Sequence, residues 1–128
     1  MFRISIRATF VGAALVFGLS GHAGADDVET GAALVQKACT TCHSLVTPAE
    51  PRQGPNLVGV YGRKAGTLPG FSYSPGFQAG DKGIVWDEAN LDRWLTNPQA
   101  MFPGAVMLYK QANPDKRRAI IAFLKTLK

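Results

Sequence analysis

Residues 39–43, Cys39-Thr40-Thr41-Cys42-His43, restrict this chain more than any other stretch. Two thiols separated by two residues can add across two vinyl groups on one edge of a haem. The residue after the second thiol then comes round beneath the iron, where an imidazole nitrogen can bind it. Other chemistries use the same pair of thiols. A redox dithiol opens a helix inside a strand-helix-strand pattern, and no such pattern is visible in the sequence. A zinc site takes four ligands, whereas this stretch offers three and the chain has only 2 cysteines. A disulfide between Cys39 and Cys42 would close a tiny loop and staple nothing. Covalent haem through Cys39 and Cys42, with His43 on the iron, is the leading reading, and chance occurrence of a five-residue pattern stays as its rival.

The beginning of the chain reads as an export signal rather than as fold. Arg3 and Arg7 lead into the apolar run Ala8 to Leu19, and small residues end at Ala23-Gly24-Ala25. A charged start, a short apolar centre and an A-x-A site mark residues 1–25 as a cleaved secretory signal and 26–128 as one small domain. The apolar run is about a dozen residues against the roughly 20 of a spanning helix, so no stable membrane insertion is expected after cleavage. His22 would leave with the signal. Loss of Arg3 and Arg7 takes 14 basic residues to 12 against 9 acidic ones, and the net charge from +5 to +3. Lys and Arg do not line up with aromatics along one stripe, so no nucleic-acid partner is expected. A domain this short buries a modest core, to which a covalent prosthetic group would add apolar surface.

Along the domain, Asp26 and Asp27 can cap a first helix, with Glu29 in its first turn and Val28, Ala32, Val35 and Cys39 at helical spacing. Gly31 inside that pattern costs on the order of 1 kcal/mol relative to Ala, which favours a close crossing by another helix at that point. The glycine-rich stretch 59–83 also carries Tyr61, Leu68, Phe71, Tyr73 and Phe77. A flexible linker has no use for these aromatics, and a long loop folded over an apolar cofactor has. Asp87 and Glu88 open a helix with Leu91, Trp94 and Leu95 on one face, which must end near Asn97 because Pro98 follows. Asn113-Pro114 starts the last helix, whose apolar face is Ala119, Ile120, Phe123, Leu124 and Leu127. Lys116, Arg117 and Arg118 read as a solvated basic face. On this reading the fold class is all-α.

A haem held by one histidine leaves the other side of the iron to a Met, a Tyr, a Lys or nothing. Met101 and Met107 remain in the domain, and Met107 follows the Pro103-Gly104 turn that could aim its side chain at the metal. A thioether there would favour the reduced iron and raise the potential. Core packing is the alternative for either methionine.

Several further stretches occur in one order with the haem motif: Gly54-Pro55-Asn56-Leu57, Gly62-Arg63-Lys64, Pro69-Gly70-Phe71-Ser72-Tyr73, Lys82-Gly83-Ile84-Val85-Trp86, and Asn97-Pro98, Pro103-Gly104 and Met107. Together they resemble the class I cytochromes c, the group of mitochondrial cytochrome c and its soluble bacterial relatives, over essentially all of residues 26–128. The resemblance implies a small cytochrome c fold, with first and last helices crossing at Gly31, Val35, Ile120 and Phe123 and long loops wrapped around one covalent haem c. It implies His43 and Met107 as axial ligands and the Pro55 carbonyl as hydrogen-bond partner of His43. It implies Arg63, Tyr73 and Trp86 around the haem propionates. The function it implies is one-electron shuttling by a periplasmic, monomeric carrier that is not an enzyme. Such a carrier docks transiently with redox-partner proteins at an exposed haem edge, where Tyr109 and Lys110 would lie.

The chain departs from the mitochondrial pattern in places. Trp94 stands where those members carry a Tyr whose hydroxyl bonds the Met sulfur, and an indole N–H is a donor only. Val35 replaces a Phe at the helix crossing. Ala38, Gln99 and Ala100 replace lysines around the haem edge, which implies a less basic docking face with weaker salt dependence. Tyr109 replaces a Phe, and the segment from Ser74 to Asp81 is longer.

Overall fold

Three helices among the described residues begin on the same two-residue device, a capping side chain followed by proline. The computed structural model describes residues 23–128, so the segment read as a secretory signal lies, for residues 1–22, outside the described residues. Five helices follow in order: α1 (Ala23–Ala38), α2 (Pro75–Gly80), α3 (Glu88–Thr96), α4 (Pro98–Met101) and α5 (Pro114–Leu124). Ser74 Oγ accepts from the Phe77 amide at 3.3 Å to start α2. Asn97 Oδ1 accepts from Gln99 and Ala100 at the head of α4, and Asn113 Oδ1 takes the Asp115 amide at 2.9 Å to start α5. In each case proline follows where its missing N–H costs nothing. α3 uses an aspartate instead, with Asp87 Oδ1 accepting from Asn90 N at 2.8 Å.

Two of these starts correct the sequence reading. The stretch 59–83, expected as loop throughout, contains α2, and its signal is the Ser74-Pro75 pair. Asn97-Pro98 ends α3 as expected, but the same pair also opens α4. At the other end, α1 begins at Ala23 rather than on a cap at Asp26 and Asp27. Asp26 and Asp27 therefore lie inside the helix, behind Ala23, Gly24 and Ala25, of which the two alanines favour it. Asp27 is engaged elsewhere, its carboxylate accepting from Arg118 Nε at 3.1 Å across to α5.

α1 and α5 pack on each other more extensively than any other pair, and α3 leans on α5 and α4. The close approach centres on Gly31, where a Cβ would run into the carbonyl of Ala119 and the Cβ of Phe123. One turn later Val35 is fully buried, as is Ile120. Ile121, absent from the expected apolar face, is buried too, while Phe123 and Leu127 are half-buried. Lys116 and Arg118 are exposed, as expected of a solvated face, but Arg117 is not part of one. Arg117 Nε sits 2.6 Å from Asp92 on α3 with its side chain only 12% exposed, and its guanidinium also donates to the carbonyls of Gln111 and Ala112. No strand forms among the described residues, only an isolated antiparallel bridge between Lys64 and Val85.

Candidate functional site

The turn that continues α1 brings the motif together. The amides of Cys42 and His43 both donate to the Cys39 carbonyl, at 3.0 and 2.9 Å, so the helix tightens and turns all three side chains out together. Loop 44–58 then folds back over them. Gly54 N donates to Cys42 O at 2.7 Å and Leu57 N to Ser44 O at 3.0 Å, while Asn56 Nδ2 reaches Val46 O at 2.8 Å. This fold-back sets the Pro55 carbonyl 2.7 Å from His43 Nδ1. A carbonyl only accepts, so Nδ1 must carry the proton and Nε2 keeps its lone pair. Burial lowers the His43 pKa, against the opposing pull of the Pro55 contact, and so favours the neutral imidazole that binds metals. Gly54 has no side chain for a reason of space, because a Cβ there would overlap the His43 ring.

His43 opens onto a cavity of about 580 Å³. Cys39, Cys42, Pro55, Arg63, Tyr73, Trp86, Trp94, Met107 and Tyr109 all line it. Lys110 is not on its wall and is exposed on the adjoining stretch, and Met101, the other methionine of the domain, does not line it either. Both cysteines are free thiols. Burial, then the neighbouring Cys42, push the Cys39 thiol up to about 11, so in the folded chain it is protonated and a poor nucleophile.

The rest of the wall is mostly aliphatic and aromatic, and its aromatic part centres on Phe77. Its ring stacks on Tyr73 at 4.9 Å and meets Trp94 and Phe102 edge-on at 5.6 and 5.1 Å. Trp86 and Trp94 lie 5.6 Å apart. Such pairs add roughly 0.5–1.5 kcal/mol each beyond their buried area. Sequence reading expects Phe77 in a loop over the cofactor; it misses the short helix α2 that carries Phe77 inward and Phe102, which packs against Phe77.

Arg63 is fixed by a clasp in which Gly62 N donates to Trp86 O and Trp86 N to Arg63 O, both at 2.9 Å. Its terminal nitrogens donate to the carbonyls of Val58 and Asn56, but Nε is buried with no partner. Burial lowers the Arg63 pKa, partly offset by the nearby Tyr73 phenol. An orphaned guanidinium donor at a cavity wall calls for an anionic acceptor. The Tyr73 hydroxyl, which accepts from Leu68 N at 3.3 Å, still has its own proton to give. The donor set therefore fits a haem: two thiols, an imidazole with a free lone pair, a thioether, apolar walls, and a half-buried cation with a buried Nε suited to a carboxylate.

The cytochrome c family model matches residues 28–128. Cytochrome c2 of Rhodomicrobium vannielii is 42% identical over 123 residues, covering 95% of this chain and 95% of that protein. Cytochrome c-550 of Novispirillum itersonii is 41% identical over 103 residues, covering 73% of this chain and 93% of that protein. Cytochrome c of Sesamum indicum is 36% identical over 100 residues, covering 77% and 88%.

Proposed function

The chain belongs to the cytochrome c family, and from that premise we propose how its own residues serve an electron carrier. It carries electrons one at a time on a single covalently attached haem c. Haem c, when bound, supplies an iron that changes oxidation state by one electron without group transfer. Cys39 and Cys42 are the attachment points. His43 would hold the iron through Nε2, and Met107 would supply the second protein ligand. The contact that carries this reading is the 2.7 Å bond between His43 Nδ1 and the Pro55 carbonyl, which fixes the tautomer and orients the ring. That bond also raises the basicity of the imidazole. Arg63, Tyr73 and Trp86 would hold the haem propionates, with Arg63 Nε as the donor still to be paired. Trp94 and Phe77 exclude water beside Met107. A dry pocket and a neutral thioether both disfavour the extra charge of the oxidised centre and so raise the potential.

With His43 and Met107 both holding the iron, no site would be left there for a substrate, and the protein would work as a carrier rather than an enzyme. It acts in the periplasm after removal of residues 1–25, as a monomer. No helix among the described residues is long and apolar enough to cross a membrane. Redox partners dock transiently beside Tyr109 and Lys110, over a small area suited to rapid exchange.

Met107→Ala tests the ligation and the carrier role together. The variant should lose the far-red absorption of thioether-ligated ferric haem and, once reduced, bind carbon monoxide stoichiometrically, whereas the parent should bind none. Survival of the far-red band in the variant would remove Met107 from the iron. Rapid carbon monoxide binding by the parent at neutral pH would overturn the carrier reading.

A further inference from the structure

Residues 106–110, the strap that carries Met107, are held by very little. No backbone N–H or C=O in this run pairs with another backbone group. Val106 and Leu108 on either side of Met107 are 75% and 77% exposed, so of the strap's side chains only Met107 and Tyr109, both half-buried, pack against the core. The strap is anchored at its ends. Upstream, Ala105 N donates to Phe102 O at 3.0 Å, and downstream Gln111 N donates to Leu95 O at 2.8 Å. Between those anchors one side chain reaches the main chain. Gln99, on α4, donates through Nε2 to the carbonyl of Met107 at 3.1 Å and to that of Ala105. Both partners are carbonyl oxygens, so only the NH2 end of the amide can face them.

We propose that Gln99 is a positioning residue for the sixth ligand: its carboxamide clamps the backbone of Met107 and sets how firmly the thioether stays on the iron. This rests on the ligation by His43 and Met107 proposed above. α4 is a suitable base for the clamp. Pro98 is fully buried, and Asn97 closes the head of the helix with two amide bonds. The Gln99 backbone therefore does not move with the strap. Lacking the clamp, the strap can swing between its anchors and release the sulfur, and an external ligand competes for the iron more easily. The electrostatics have a definite sign. A carboxylate of the same shape would set its oxygens against two carbonyl oxygens and push the strap away.

The experiment uses haem-loaded protein and the variants Gln99→Ala and Gln99→Glu. Imidazole is titrated into the ferric form, with the far-red band followed during the titration and across rising pH. Loss of one or two net hydrogen bonds should tighten apparent imidazole binding roughly three- to tenfold in Gln99→Ala, and further in Gln99→Glu. In both, the far-red band should fade at lower pH than in the parent. Thermal unfolding of the reduced proteins is measured alongside. Parent-like imidazole affinity and parent-like band in both variants overturns the clamp, whatever happens to the melting temperature. A parent without the far-red band overturns the ligation itself, and the clamp with it. The two failures are thus distinguishable.

Discussion

Gly31→Ala is expected to destabilise the protein by on the order of 3 kcal/mol, although helix propensity taken alone predicts a gain of about 1 kcal/mol. The two effects have opposite signs, so the measurement decides between them. Gly31 lies inside α1 and is not among the glycines with positive φ, so its backbone accepts any residue. What it lacks is space. A Cβ would fall on the Ala119 carbonyl, which is backbone of α5 and cannot rotate away, and on Phe123 Cβ at 2.9 Å. Relief requires the two helices to separate, and separation would uncover Val35 and Ile120, both now fully buried. Gly31→Val should be worse and should prevent accumulation of folded, haem-loaded protein. Thermal melts of the parent and Gly31→Ala are the check, with a fall of roughly 10–20 °C expected for a domain of this size. A rise in melting temperature would mean that propensity, not the crossing, governs position 31.

Gly54→Ala should have the largest effect on the site itself. Here too φ is not positive, and the conflict is between an added methyl and the imidazole of His43. The ring must turn or the fold-back loop must lift, and either movement breaks the bond from Nδ1 to the Pro55 carbonyl. Two consequences follow. Overpacking and the lost bond should together cost roughly 2–3 kcal/mol in a guanidinium melt. The reduction potential should rise, because an imidazole without its acceptor is a weaker donor and stabilises ferric iron less. An unchanged potential with lowered stability would leave Gly54 as a packing residue and detach the Pro55 contact from the tuning of the iron.

Much of this molecule is legible in its sequence because its signals are local. Asp87 and the Asn113-Pro114 pair cap the helices they were expected to cap, and Gly31 marks the crossing through a missing side chain. Cys39, Cys42 and His43 share a turn because their spacing leaves little choice. What sequence reading lost were features whose meaning depends on distant chain. Ser74-Pro75 carries the same start signal as Asn113-Pro114, but glycines surround it and the helix it opens has no apolar repeat long enough to register. Gln99 was read as the loss of a surface lysine. It is half-buried, with its amide turned inward to carbonyls 6 and 8 residues further along. Arg117 was read as solvated, and its partner Asp92 lies 25 residues upstream on another helix. Polar side chains with remote partners leave no periodic trace, so a pattern-based reading assigns them to water by default.

The aromatic wall has an optical consequence. The chain contains 2 tryptophans, and both, Trp86 and Trp94, face the cavity. No indole elsewhere contributes background, so all tryptophan emission originates beside the pigment. While the wall is closed that light should pass to the haem by resonance transfer and the protein should be nearly dark. As Phe77 and α2 come away the emission should brighten. A titration with denaturant would therefore follow the opening of the cavity in real time without any added label, and an early gain in fluorescence, before helical circular dichroism falls, would mean that the wall yields before the α1–α5 crossing does.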